Sequence, residues 1–273
     1  MADPARLNAT VFGANGFVGR ALVQHLEGQG YAVRSVTRGD ESWLGADLGH
    51  AFYTVGLTAD FRSRPFETID AHVSLLTRIL RGARFRSFVY LSSTRVYATT
   101  DTTNEGTAIP VSPGNPDHLY NISKLMGEAA CLGSGLANVR VARLSNVFGR
   151  DLASENFLTA VLREAATENR VSLRTSLASE KDYVWVGDVV RALEAIAIRG
   201  ADPITNVAFG RNITHGEIMD ALRVSIGVEI RVAPGAPTIA FPTIATGSLD
   251  RLGAGPRTSL LSMLDELAAC FRS

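Results

Sequence analysis

Apolar residues in this chain recur in two rhythms. Short β-branched and aromatic runs, which read as buried strands, fall at residues 7–12, 31–36, 51–55, 88–91, 139–144, 183–186 and 206–209. Between them apolar positions return every third or fourth residue, which predicts helices near 20–27, 66–81, 119–132, 157–167, 189–198 and 259–271. Thr214-His215-Gly216-Glu217 has the spacing of a capping box and starts one more helix. Regular alternation of strands and helices predicts an α/β fold with a mainly parallel sheet. No repeat or low-complexity tract interrupts the pattern.

The first strand runs straight into Gly13-Ala14-Asn15-Gly16-Phe17-Val18-Gly19, after which Val18, Leu22, Val23 and Leu26 set a helical stripe stopped by Gly28 and Gly30. A second strand follows at once. Strand, glycine turn, helix and strand make a βαβ unit, expected to cross over right-handed. In such a unit Gly13 permits the tight turn off the strand and Gly16 lets backbone approach a pyrophosphate. Gly19 allows close packing of the helix whose N-terminus holds the phosphate charge. Asn15, Phe17 and Val18 complete the predicted cofactor loop, and Val55-Gly56-Leu57, at the end of the third predicted strand, is assigned to the same site. Only 12 residues separate Arg38 from Ala51, too few for a further strand with helical crossovers. The expected fold is therefore a Rossmann-type doubly wound parallel sheet without its usual third strand, which lies at an edge in the order 3-2-1-4-5-6. Residues 1–150 are expected to be mainly this dinucleotide-binding domain. Residues 151–273 are expected to be mainly a small substrate lobe, with 183–210 returning to the large sheet.

Composition narrows the partners. With 46% hydrophobic and 20% charged residues disorder is excluded, and 27 basic against 27 acidic residues leave no excess for nucleic acid or an anionic membrane. The uncharged stretch 232–249 holds Pro234, Pro237 and Pro242, which break any membrane-spanning helix. Met1-Ala2-Asp3-Pro4 lacks the basic and apolar regions of a secretion signal. Cys131 and Cys270 are too few for a disulfide framework or a structural zinc site, and a cytoplasmic location is expected. His25, His50, His118 and His215 show no metal-ligand spacing, so no metal is expected and each is assigned to a surface or a helix end.

Two more clusters carry candidate chemistry. Tyr120-Asn121-Ile122-Ser123-Lys124 sets a phenol and an ammonium four residues apart, on one helix face. An adjacent ammonium favours phenolate and lowers a tyrosine pKa from about 10, which suits Tyr120 to proton transfer near neutral pH. Leu91-Ser92-Ser93-Thr94 closes a strand at the end that faces the ligand crevice, where a hydroxyl holds a substrate oxygen for Tyr120. Taken alone, the first is an ordinary surface pair and the second a serine-rich turn. Of the 27 basic residues only Lys124 and Lys181 are lysine, which points to positions that need one.

The three clusters stand in the order and at the spacing of the short-chain dehydrogenase/reductase superfamily. Over nearly all its length the chain resembles the extended branch, the NAD-dependent epimerase/dehydratase family of nucleotide-sugar enzymes. The likeness rests on GANGFVG (13–19), SFVYLSSTRVYA (87–98), YNISK (120–124), VRVARLSNVFG (139–149) and KDYVWVGDVV (181–190). It implies Ser93, rather than Ser92 or Thr94, as the catalytic hydroxyl, with Thr94 beside the substrate. Tyr120 would be the proton donor or acceptor, and Lys124 would bind the nicotinamide ribose and lower the phenol's pKa. Asn146 and Lys181 match residues on the substrate diphosphate, and Asn156 matches the asparagine of the nucleotide-contacting helix. Two departures stand out. His72 takes the place of a usual asparagine, and Thr94-Arg95 replace the Asp-Glu pair of dehydratases, which argues against a sugar 4,6-dehydratase. Arg62 and Arg64 lie within reach of a phosphate near the cofactor, although a solvated loop is the favoured reading.

The function so implied is an NAD(P)-dependent epimerase or oxidoreductase acting on a nucleotide sugar, with hydride transfer and Tyr120 as acid/base. An NADPH-dependent reductase of a small non-nucleotide ketone is the alternative. A non-catalytic cofactor-sensing protein is a third, against which an intact Ser93, Tyr120 and Lys124 speak. The second strand ends Val36-Thr37-Arg38-Gly39, with Thr37 where NAD-selective proteins carry a carboxylate and a guanidinium next to it, so NADP is favoured over NAD. Family members commonly dimerise through the helix of Tyr120. Here that helix carries Ile122, Leu125, Met126, Ala129 and Leu132, more apolar surface than one core-facing stripe needs, so a homodimer is expected.

Overall fold

The computed structural model describes residues 8–58 and 60–272, so Leu7 of the first predicted strand and Met1-Ala2-Asp3-Pro4 lie outside the described residues. In chain order the elements are β1 (Asn8–Phe12), α1 (Phe17–Gly28), β2 (Ala32–Val36), β3 (His50–Tyr53), α2 (Pro65–Ile69), a π turn (Asp70–Ser74), α3 (Leu75–Gly82), β4 (Ser87–Ser93) and α4 (Leu119–Leu132). There follow β5 (Val139–Leu144), β6 (Asn146–Phe148), α5 (Phe157–Glu168), β7 (Arg170–Leu173), β8 (Glu180–Trp185) and α6 (Val186–Arg199). The chain closes with β9 (Ile204–Val207), β10 (Asn212–Thr214), α7 (His215–Ile226), β11 (Glu229–Val232), α8 (Gly247–Arg251) and α9 (Leu264–Ala269). The capping box before α7 forms as its spacing predicts, with Thr214 and Glu217 each bonding the other's backbone N–H.

The large sheet is parallel throughout, in the order β2-β1-β3-β4-β5-β9. Alternate side chains of its strands go to opposite faces. Ala9, Val11, Phe52, Val89, Leu91 and Ala142 meet Leu22 and Leu26 of α1 and Val189, Leu193 and Ile196 of α6. Phe12, Tyr53, Phe88, Tyr90 and Val141 meet Leu76 and Ile79 of α3 and Cys131 of α4. Burial on both faces explains why these strands read as unbroken apolar runs. Among the described residues no third strand flanks β2, whose Ala32, Arg34 and Ser35 are exposed at the sheet edge. The short segment after β2 instead buries Trp43 and Leu48, with the Trp43 ring edge-on to Phe12 at 6.1 Å. One indole thus closes the core margin that a strand and its helix would otherwise cover.

The smaller lobe holds a three-stranded sheet, β10-β8-β6, and a two-stranded one, β11-β7. These pack with α5, α7 and α9 around Leu158, Leu162, Val171, Ile218, Leu222 and Leu264. The predicted return of 183–210 to the large sheet needs correction. β8 is the centre of the three-stranded sheet, and only α6 and β9 rejoin the large one. Alternation is the reason: Tyr183 faces the lobe core and Val184 the main core, so β8 forms the seam between them. The lobe also begins at β6, a few residues before 150, and α8 comes back from it to place Leu249 in the main core. β6, β7, β10 and β11 escape sequence reading because each has only three or four residues, too few to show a period. His50 lies at neither a surface nor a helix end, being buried in β3 with a hydrogen bond of 2.8 Å to Ser87 Oγ, whereas His215, also buried, is the first residue of α7 as the helix-end assignment had it. Among the described residues no helix is long and apolar enough to cross a membrane.

Candidate active site

The glycine loop leaves β1 at Gly13, whose φ of +81° only glycine adopts without strain and whose N–H donates to Val36 O at 2.9 Å. Helix α1 starts behind Gly16 with neither a side-chain cap nor an acidic residue in its first turn. Its first N–H groups and the positive end of its dipole are therefore left for an anion. A Cβ on Gly19 would lie 2.2 Å from Gly13 O and 2.9 Å from Thr54 Oγ1, so only glycine lets α1 sit this close to the loop. Thr54, at the end of β3, donates to Phe12 O at 2.7 Å and locks the loop from the other side. Asn15 Oδ1 and Nδ2 have no partner among the described residues, and its carbonyl accepts Arg20 Nη1 at 2.9 Å. Phe17 and Gly149 are in close contact, while Val18 joins the main core. This uncapped, glycine-walled helix end fits the pyrophosphate of a dinucleotide.

Where a dinucleotide's adenosine end would meet β2, Thr37 and Arg38 are both exposed. The carboxylates beyond them are engaged elsewhere: Asp40 Oδ1 accepts Ser42 N at 2.8 Å, and Glu41 pairs with Arg78 at 2.5 Å.

Tyr120 lies in the first turn of α4, near enough to Ser93 at the C-terminal end of β4 for that hydroxyl to draw its phenol's pKa down. Ser93 Oγ also accepts Arg95 N at 3.2 Å and so caps the 3-10 turn Thr94–Tyr97, in which Thr94 is buried. Ser92 turns to the opposite face and donates to Glu128 at 2.5 Å. Lys124 Nζ donates to Leu91 O at 2.9 Å, and burial brings its ammonium down to about 7 against the opposing pull of Glu128. Lys124 is not among the groups that lower the phenol's pKa. Burial raises Tyr120, and the groups that pull it down are Ser93, by its hydroxyl, and Arg95, by its charge. Arg95 lies over the Tyr120 ring at 5.3 Å, whereas Lys124 is drawn to the Leu91 carbonyl.

The Val55-Gly56-Leu57 turn is pinned over this pair by His72. Leu57 N donates to His72 Nε2 at 3.2 Å, and the other ring nitrogen meets Ser123 Oγ at 2.8 Å. Since Ser123 gives its own proton to Tyr120 O, His72 carries its hydrogen on Nδ1 and accepts at Nε2. Burial, followed by the charge of Lys124, lowers its pKa to about 3 and keeps the ring neutral. Val55 packs partly against the core on the α3 side.

On the lobe side, Lys181 in β8 sits between the rings of Phe157 and Phe241, 6.0 Å from each centroid. His215 is buried, stacks on Phe157 at 4.0 Å and shares Nδ1 with Thr175, while its Nε2 has no partner. Asn146 Nδ2 donates to Asp182 O at 2.8 Å, which leaves its Oδ1 open. Asn156 instead caps α5: Oδ1 accepts Thr159 N at 2.9 Å and Nδ2 donates to Ser154 at 2.8 Å. Both of its polar atoms are thereby engaged locally. Arg62 pairs with Asp117 at 2.5 Å and Arg64 with Glu67 at 3.4 Å, as residues of an exposed loop do.

Residues 9–208 match the NAD dependent epimerase/dehydratase family. The chain belongs to this family. A dTDP-glucose 4,6-dehydratase of Streptomyces griseus is 26% identical over 147 residues, which cover 52% of this chain and 44% of that relative. The chain thus spans less than half of that curated relative's length. Two solved structures superpose over almost the whole chain. MoeE5 in complex with UDP-glucose and NAD has a TM-score of 0.80 at 21% identity, covering 97% of this chain and 98% of its own. RMD from Pseudomonas aeruginosa, complexed with NADPH, has a TM-score of 0.79 at 21% identity, covering 97% and 99%. At such identities the likeness is one of fold.

Within this epimerase/dehydratase-family site, sequence reading missed three contributors. Phe61 is 1% exposed and lies on the Tyr120 ring at 5.6 Å, with Arg62 and Arg95 on it at 4.4 and 4.9 Å. Glu128 and Arg143 form a buried pair at 2.6 Å behind Ser92, and Arg143 Nη1 donates to Tyr97 at 2.6 Å. Asp182 accepts the backbone N–H groups of Phe209, Gly210 and Arg211 and fastens the lobe to the end of β9. Asp182 left a trace in the KDYVWVGDVV motif and Arg143 in VRVARLSNVFG, but neither motif shows the partner. Among the described residues no group of three His, Cys, Asp or Glu side chains is arranged to hold a metal.

Proposed function

We propose that this protein is an NAD(P)-dependent enzyme of the extended short-chain type that epimerises or reduces a nucleotide-linked sugar, with Ser93, Tyr120 and Lys124 as its catalytic set. The observation that carries the reading is the buried Tyr120 side chain beside Ser93 at the mouth of β4, the strand next to β3 with its Thr54 lock on the glycine loop. Gly13, Gly16 and Gly19, with Asn15, Phe17 and Val18, would hold the pyrophosphate, and Val55-Gly56-Leu57 would flank the cofactor beside Lys124. When bound, the nicotinamide supplies the hydride acceptor and donor. Tyr120 takes the proton of the substrate hydroxyl or returns it, and Ser93 holds the same oxygen in line. Lys124, poised at about 7, has its charge available for a ribose hydroxyl. Asn146, through its open Oδ1, and Lys181 are suited to the polar and anionic parts of the substrate. Thr94 lines the same mouth, and Asn156 acts through the start of α5. A nucleotide sugar is the favoured substrate because MoeE5 is described with UDP-glucose and because Lys181 makes no ion pair among the described residues. Small-ketone reduction is the second reading, favoured by the Phe61 ring that narrows the approach to Tyr120.

For the cofactor we propose NADP over NAD, because Asp40 and Glu41 are engaged and Arg38 is the charged group left at the end of β2. We also propose a homodimer through α4 and the neighbouring α2, which expose Met126 (50%), Leu132 (43%) and Phe66 (79%). The deciding experiment is Tyr120→Phe. Turnover should fall by about 10²-fold or more while dinucleotide binding by calorimetry stays near wild type. Wild-type turnover in the variant refutes the assignment. Cofactor retained through purification favours epimerisation, and net change in nicotinamide absorbance favours reduction.

A further inference from the structure

Most arginines around the site already have an acidic partner. Arg62 is paired with Asp117, Arg64 with Asp60 and Glu67, and Arg143 with Glu128. Arg95 differs, for among the described residues its guanidinium makes no ion pair and no side-chain hydrogen bond. It is half buried, with the rings of Phe61 and Tyr120 at 4.9 and 5.3 Å. Ring contacts engage the faces of a guanidinium, whereas its five N–H donors lie in its plane. The ring contacts supply no oxygen acceptor to these donors, in a place that has lost part of its water, an arrangement that favours an incoming oxyanion. The carboxylate whose field reaches it, Asp117, is already bonded to Arg62.

Lys181 is a second cation without an anionic partner among the described residues, held between two phenyl rings, and it lies close enough to Arg95 for the repulsion to lower its pKa further beyond the effect of burial. Two such cations, near enough to feel each other's charge, suit a substrate with two anionic groups. A nucleotide diphosphate suits Lys181, and a further anion on the sugar suits Arg95. We propose that Arg95 selects a nucleotide-linked sugar that carries a carboxylate at C6, a nucleotide-linked uronic acid; this rests on the nucleotide-sugar reading above. Position decides which anion goes where. Arg95 lies against the phenol that serves the reacting hydroxyl, so its donors reach groups close to the reacting carbon. In a hexose handled at C4 the C6 carboxylate is two bonds away, while the diphosphate on C1 is across the ring. The planar fork of arginine matches a carboxylate through two parallel hydrogen bonds, which lysine cannot supply.

The test pairs substrates that differ only at C6. UDP-glucuronic acid and UDP-glucose, with the dTDP-linked pair beside them, are titrated and turned over by wild type, Arg95→Met and Arg95→Lys, with NAD or NADP saturating. Wild type should prefer the carboxylate form by about 10-fold or more, the size of one charge-assisted contact. Arg95→Met should reduce that preference to about twofold, mainly through KM for the acid, and Arg95→Lys should keep part of it. Melting curves check that the variants fold. If wild type binds acid and neutral sugar alike, or Arg95→Met weakens both equally, the proposal is overturned while the nucleotide-sugar reading stands. If no nucleotide sugar binds, that reading fails and the proposal falls with it.

Discussion

Removing Glu128 should cost more stability than any surface change, because it strands a charge. The side chains of Glu128 and Arg143 are each 4% exposed. Arg143 reaches the carboxylate through Nη2 at 2.6 Å and Nε at 3.0 Å, and Ser92 adds a third bond at 2.5 Å. In Glu128→Met the guanidinium keeps only Tyr97 Oη at 2.6 Å and Glu105 O at 3.3 Å. Removing one partner of a buried pair costs about 3–5 kcal/mol, or roughly 6–20 °C in Tm at this size. Replacing both, in Glu128→Met with Arg143→Met, leaves no stranded charge and should recover most of the loss, since apolar pairs of similar volume are often as stable. Urea unfolding of the two single variants and the double variant yields the coupling, expected at about 2 kcal/mol or more. A single variant within about 1 kcal/mol of wild type, or strict additivity, would refute the reasoning. The site should respond as well. The Glu128 charge raises Lys124, so its removal should move the Lys124 titration further below about 7 and shift the turnover profile the same way.

Gly19→Ala gains about 1 kcal/mol of helix propensity but forces a methyl to 2.2 Å from the Gly13 carbonyl. Net loss of about 1–2 kcal/mol and dinucleotide binding at least about 10-fold weaker are expected, and unchanged calorimetric affinity would count against the loop assignment. His72 is held near 3 in the fold against 6.5 free, so the unfolded chain binds the extra proton between these values. The stability this imidazole contributes is full above pH 6.5 and is lost as pH falls toward 3, with a limiting slope of about 1.4 kcal/mol per pH unit. His72→Asn should therefore flatten the acid limb of urea stability by about 2 kcal/mol between pH 6 and 4.5, and parallel curves would exclude it. Arg38→Ala should erase most of the preference for NADP, and Thr37→Asp should reverse it. Equal affinities in wild type would mean that Arg38 points elsewhere.

Periodicity and glycine spacing were enough to read the parallel sheet, the βαβ entry and the missing strand. A strand buried on both faces must be apolar throughout, a close helix crossing must have no Cβ, and a connection of 12 residues is too short for a further strand with its crossovers. α4 was legible to its ends for the same reason, and with it the shared face of Tyr120 and Lys124. Those are local properties, carried by neighbours in the chain. Which cation acts on the phenol was not among them. Arg95 is remote in sequence from Tyr120, yet the 3-10 turn after β4 lays it on the ring, and Lys124 finds a carbonyl instead. Phe61 over Tyr120, Glu128 on Arg143 and β8 at the seam of two cores likewise join segments whose separation leaves no period to read. Electrostatic environment depends on burial and on who comes near in space. Helix and strand periods record only which side of each element is apolar, so tertiary structure alone decided the charge around the Tyr120 phenol.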